Sequence, residues 1–187
     1  MSDVLVEDRK GGLNMNQTWT IDASHTDASF TVKHMGLLNV RGTFNQTTGK
    51  VVIDEKGVLV SAEAIIDVQS LSTRDAQRDA HLMQDDFFGA ARHPQMKLVS
   101  TAVKKVGMNT YEVQANLTLK GVTKPVTFDV TLLDEIKDPF GMRRRALEAT
   151  TRINRKEWGM TYNQFMDNGG LLVANDVKIS IEAEITQ

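Results

Sequence analysis

At 187 residues and 41% apolar content, the chain is long enough to bury one sizeable core, and a single domain is expected. Its 22 basic and 24 acidic residues leave a net charge of -2, so no overall field draws nucleic acid or an anionic membrane surface, and no nucleic-acid partner is expected. There is no cysteine, which excludes disulfides, thiol catalysis and thiolate metal sites and leaves burial to hold the fold.

Residues 1–16 read as a polar tail, with acids at Asp3, Glu7 and Asp8 and only a three-residue apolar run. That stretch lacks the basic segment and apolar centre of a secretion signal, so a cytoplasmic location is the expectation for the chain as written. No run approaches the ~18 apolar residues of a membrane-spanning helix, so no membrane span is expected.

From residue 17 onward, period-two alternation dominates. Strands are expected over Thr18–Asp22, Ser29–His34, Val40–Phe44, Lys50–Asp54 and Val58–Val68. In the second of these, Phe30, Val32 and His34 share one face against Ser29, Thr31 and Lys33. Between Ser72 and Met83 the period changes: Ala76, Ala80 and Met83 recur at helical spacing, and Ser72 with Asp75 reads as a capping box. Phe87 and Phe88 then read as a plug against the core at the helix exit.

Strands resume over Gln95–Val106 and Thr110–Leu119, where Tyr111, Val113, Ala115, Leu117 and Leu119 oppose a polar face. Val126–Leu132, Arg145–Asn154 and Val177–Ile185 follow, with turn signals between them at Gly107 and Asp138-Pro139. Eight to ten half-buried antiparallel strands with one short helix define an all-β chain. Closure into a barrel removes exposed edges, and a two-sheet sandwich is the alternative.

Residues able to carry chemistry are sparse. His25, His34, His81 and His93 show no His-x-His or His-Glu-x-x-His pairing, so no metal and no other cofactor is expected. Ser24-His25 lacks the Gly-x-Ser-x-Gly elbow of a hydrolase. In Arg143-Arg144-Arg145 only the first and third residues can share a strand face, and a solvated strand end is the expected reading.

Several blocks carry a family resemblance: "WTIDASHTDASFTVKHMGLLNVRGTF", "RDAHL", "DDFF", "HPQMKLVST", "NLTLKGVTKPV" and "INRKEWGM". In this order, over about Trp19 to Ile185, they closely resemble the YceI-like family of bacterial lipocalin-like barrels that bind polyisoprenoid and other long-chain lipids. The chain departs from the family at His93, where tyrosine is more frequent, and in lacking the secretion signal that many members carry. A periplasmic or secreted location is the family's alternative to the cytoplasm.

The resemblance implies an extended antiparallel lipocalin-like β-barrel of about eight strands over residues 17–187, with one side helix. It also implies non-catalytic binding, storage or transport of a long apolar lipid of polyisoprenoid or isoprenoid-quinone type. Members can pair, so a homodimer is one expectation. The inward faces then place Phe30, Val32, His34, Phe44, Ala64, Ile66, Phe88, Met96, Leu98, Leu117, Phe128 and Val130 around the ligand. His34 closes its strand near the mouth, where its ring meets either a ligand head group or backbone, and His25 in the preceding loop has the same two readings. An eight-stranded interior holds one slender ligand. Burying roughly 15 methylenes at ~0.8 kcal/mol each supplies about 12 kcal/mol before association costs. The rival functions are a small lumenal enzyme acting on an isoprenoid or lipid through His34, His25 and a carboxylate, and a packed barrel that binds a protein.

Overall fold

The computed structural model describes residues 5–7 and 13–187, with side chains from residue 16. The expected polar tail, residues 1–16, therefore lies largely outside the described residues. Within it, two short strands, β1 (Leu5–Glu7) and β2 (Leu13–Met15), pair with each other as a separate two-stranded sheet among the described residues.

Eight strands close into an antiparallel barrel. In spatial order they are β3 (Gln17–His34), β5 (Thr47–Ile53), β6 (Leu59–Asp67), β8 (Gln95–Lys105), β9 (Thr110–Leu119), β10 (Val122–Leu132), β12 (Arg143–Asn154) and β13 (Val173–Thr186), which returns to β3. Strand β4 (Leu38–Phe44) pairs with the upper half of β3 and with β7 (Leu71–Ser72), while β11 (Ile136–Lys137) edges β12. The barrel reading holds over the sandwich.

Two expected strands, Thr18–Asp22 and Ser29–His34, are one strand of 18 residues. Its register against β13 runs Glu184 to Asp22 and then Ala183 to Thr26, so three residues of β3 are extra at that point. An odd insertion reverses the in-out alternation. Trp19 points inward below it, and Ala28, Phe30 and Val32 point inward above it. His25, expected in a loop, belongs to this bulge and faces solvent. The Asp22 side chain holds the bulge, accepting from Ser24 N (3.0 Å) and Ser24 Oγ (2.6 Å) and bonding His25 Nδ1 (2.9 Å).

Below Phe128 the interior is filled. Val51, Leu59, Val113, Ala115, Val130, Leu147, Ala149, Ala183 and Ile185 pack there around a residual void of about 60 Å³. At ~25 cal/mol per Å² of apolar area removed from water, such interlocking supplies most of the fold's stability. The Arg143–Arg145 segment corrects the expected solvated end. Arg143 stacks over Trp19, 5.0 Å from the ring, and buried Arg145 donates to the carbonyls of Leu133 (2.8 Å) and Gly57 (3.2 Å). These two arginines close the lower end of the barrel.

Helix α1 spans Ala76–Leu82, and Phe87 is buried just beyond it, as a plug. The cap differs from the expected one: Asp75 accepts from Gln77 N (3.1 Å) and Arg78 N (3.0 Å), while Ser72 contacts only Arg74 N. Arg74 explains the shift, because its left-handed backbone (φ 63°) turns the chain after Thr73 and leaves Asp75 as the last extended residue. Replacing Asp75 by alanine should cost ~1 kcal/mol in urea unfolding, and Ser72→Ala should cost clearly less. Equal losses would contradict this cap assignment.

Candidate functional site

Above Phe128 the barrel is hollow. A cavity of about 260 Å³ opens between the upper ends of β3, β4 and β13 and the segments around α1 and residues 160–173. Phe128, Leu98 and Ile181 form its floor, lining both this cavity and the small void beneath. Among the expected ligand-binding residues, Phe30, Val32, His34, Phe44, Ile66, Phe88, Met96, Leu98, Leu117 and Phe128 line it. Ala64 and Val130 do not; they line the lower void, one level further down the alternation.

One wall is aromatic. Phe30, Phe44 and Phe88 meet with ring centroids 6.0, 6.5 and 5.6 Å apart, the last pair edge to face, a favoured aromatic geometry. Gly42, the register partner of Phe30, makes room for this: a Cβ there would lie 2.4 Å from the Phe30 ring. His81, Phe87 and Tyr162 form a second aromatic group across the cavity.

Polar groups on the lining are few. The His34 ring makes no hydrogen bond among the described residues, so its donor and acceptor face the cavity mouth uncommitted. Arg78 is occupied with Thr73, through Oγ1 (2.8 Å) and the carbonyl (2.9 Å), and His81 Nε2 is 3.0 Å from Asp86.

Arg155 sits deeper, at 3% exposure, without a carboxylate. It donates to the carbonyls of Ala174 (3.0 Å), Met160 (2.8 Å) and Tyr162 (2.7 Å), and burial pushes its pKa down. That fan of bonds straps the segment 160–172, between the 3-10 turn and β13, over the barrel as part of the cavity wall. Arg155 stands in the family block "INRKEWGM" without any role being legible for it, and Tyr162 and Leu172 were not signalled, because the irregular chain there has no period to read. Val177, Ile179 and Ile181 were legible as an alternating face of the last strand and do line the cavity.

Among the described residues one trio has metal-like spacing: Asp22, His25 and Glu184. Arg144 already serves its carboxylates, bridging Glu184 and Asp22 (3.4 Å) while bonding Asp138 at 2.7 Å. The trio lies outside the barrel at the bulge, and it accounts for that bulge rather than for a ligand.

The profile of the YceI-like domain matches residues 19–185. A UPF0312 protein of Photorhabdus laumondii is 35% identical over 179 residues, 95% of this chain and 91% of its own. The chain belongs to the YceI-like family. Protein YceI of Salmonella arizonae is 36% identical to this family member over 143 residues, covering 75% of this chain and 73% of its own. Among solved structures, BcnA of Burkholderia cenocepacia superposes with a TM-score of 0.76 at 25% identity, covering 88% of this chain and 98% of that one. A domain from Saccharophagus degradans, described as polyisoprenoid-binding and implicated in plant cell wall breakdown, shares the fold at 17% identity and a TM-score of 0.63, covering 89% and 97%.

The bulge of this YceI-like protein makes a pH prediction. The hydrogen bond and charge of Asp22 raise the His25 pKa above its ordinary 6.5, and the hydrogen bond from the Ser24 hydroxyl, followed by that with His25, holds Asp22 well below the carboxylate range. The histidine's contribution to stability is therefore complete below pH 6.5 and fades as pH rises through its raised value; that of Asp22 is present above pH 3.8 and fades only in strong acid. Ring-proton NMR should place the His25 midpoint above 6.5, and Asp22→Asn should lower it. A midpoint unmoved by that substitution would detach His25 from Asp22.

Proposed function

We propose that this YceI-like protein binds one long-chain apolar lipid, of polyisoprenoid or isoprenoid-quinone type, in the upper cavity and holds it without turnover. The observation that carries this is the cavity itself: about 260 Å³ of space with an almost wholly apolar lining, above a lower half of the barrel that keeps a void of only about 60 Å³. Protein interiors leave few voids above the size of a water, and dry apolar ones take apolar guests. The described ligand class of the Saccharophagus degradans domain, which shares this fold, supports the same reading.

Volume bounds how much tail is enclosed. At the ~30 Å³ of a water-sized group, 260 Å³ accommodates about nine methylenes, fewer than the roughly fifteen taken for the tail in the sequence estimate. At ~0.8 kcal/mol each they contribute about 7 kcal/mol gross. A longer chain continues out through the mouth or displaces the Phe128 floor. The enzyme reading loses its dyad, because His25 is exposed on the bulge and tied to Asp22, and it does not share the cavity with His34.

Extraction of the purified protein with organic solvent, followed by mass spectrometry, should recover one lipid class at about one per chain. A substrate-product mixture would favour the enzyme, and an empty protein would favour a protein-binding barrel. Val32→Asp puts a carboxylate without a partner among apolar groups, at a cost of several kcal/mol, and should abolish that recovery. His34→Ala should weaken a lipid with a polar head by ~1–3 kcal/mol and leave its headless counterpart unaffected, as read from a double-mutant cycle. Equal weakening of both lipids would make His34 structural.

A further inference from the structure

The rim of the cavity mouth carries exposed apolar side chains that neither the barrel nor the cavity uses. They sit on two loops. One is the turn between β3 and β4, where Met35 and Gly36 both take left-handed backbone (φ 54° and 69°) and project Leu37 and Leu38 outward at 73% and 75% exposure. The other is the segment 161–172, with Phe165 at 81%. The loops are joined: Met35 N donates to Leu172 O (2.8 Å), Leu172 N to Gln164 O (2.9 Å), and Phe165 bridges Leu171. Both are continuous with the cavity, whose lining includes His34, Val40, Leu172 and Val173.

We propose that this rim is a membrane-docking surface, through which an apolar ligand passes directly between a bilayer and the cavity. The proposal rests on the lipid-binding reading above, and it follows from where such a ligand is found. A long isoprenoid tail resides in a bilayer, and crossing water would cost its whole transfer free energy, so the mouth must open against hydrocarbon. Clustered apolar tips around an opening fit that requirement, whereas scattered surface leucines would not.

Charge supports a bilayer over a second protein. The hairpin from Ser29 to Phe44 contains no acidic residue and the second loop carries one, Asp167, while Lys33 and Arg41 lie on the outward face of the hairpin, and neither makes a salt bridge among the described residues. The Lys33 ammonium is 3.5 Å from the Leu37 carbonyl, just behind the tip. Apolar tips with cations set behind them suit insertion to the level of the lipid phosphates. The opposite end of the barrel provides a contrast. Phe140 is 95% exposed there, but the acids near it, Glu135 and Asp138, are paired with Arg143 and Arg144, and it is not part of the cavity lining.

The test uses delipidated protein and a pyrene-labelled long-chain alcohol, presented either in phosphatidylcholine vesicles, with or without phosphatidylglycerol, or from ethanol. Leu37→Ser/Leu38→Ser/Phe165→Ser should slow uptake from vesicles by about tenfold or more and leave the extent of uptake from ethanol unchanged. Lys33→Glu/Arg41→Glu should remove the acceleration given by phosphatidylglycerol, and Phe140→Ser should alter nothing. Wild-type vesicle rates in the triple variant, or an equal loss in Phe140→Ser, would overturn the docking surface. So would a wild-type dimer, seen by sedimentation, that the triple variant dissociates without slowing transfer. If even the wild type takes up no alcohol from ethanol, the lipid-binding reading fails instead.

Discussion

Strand β3 is too long for any one neighbour on its outer edge, and the cavity depends on how that conflict is resolved. Its first residues, Gln17 to Thr20, pair with β5, while Ala28 to His34 pair with β4. On its other edge β13 accompanies it over nearly the whole length. Where β3 leaves β5, the ladder through β6 and β8 continues without it, and the gap is closed by β7, α1 and the turns around Phe87 and Phe88. A wall made of side chains and short turns cannot draw as close as a hydrogen-bonded ladder with its ~4.8 Å spacing, so the upper half of the barrel stays hollow.

The bulge in the same strand decides what faces that hollow. Three extra residues between Asp22 and Thr26 reverse the alternation, so that an odd-numbered inward face below becomes an even-numbered one above. Phe30, Val32 and His34 reach the cavity only because of that reversal. The charged groups at the bulge are thus construction rather than chemistry: Asp22, His25, Glu184 and Arg144 satisfy one another outside the barrel and leave the interior apolar.

Hollowness has a thermodynamic consequence. At ~24 cal/mol per Å³, a cavity of 260 Å³ left empty forgoes about 6 kcal/mol of packing relative to a filled core. The solid lower half and the closure by Arg143, Arg145 and Trp19 tolerate that deficit, and Arg155 keeps the roof segment in place with four carbonyl contacts. A guest in the cavity restores part of the missing packing, so binding and stability are coupled by mass action.

Alternation along the chain was enough to specify the all-β class, the strand faces and the part of the cavity lining that lies on regular strands. A half-buried strand writes its orientation into every second residue, and Phe30-Val32-His34 or Val177-Ile179-Ile181 need no further information. The sequence also carried enough family-specific blocks to reveal the fold. Tertiary structure decided the rest. Only barrel closure shows that Ala64 and Val130 lie one level below the cavity, because period two specifies the side of a strand and not the height at which its neighbour crosses. Only three-dimensional packing brings Arg155, Tyr162 and Leu172 to the lining, since an irregular segment has no periodicity and its place is fixed by the hydrogen bonds of Arg155 to Met160, Val173 and Ala174. The cap moved from Ser72 to Asp75 for a similar reason: the left-handed turn at Arg74 is set by the Thr73 contacts with Asp79 and Arg78, which local spacing does not record.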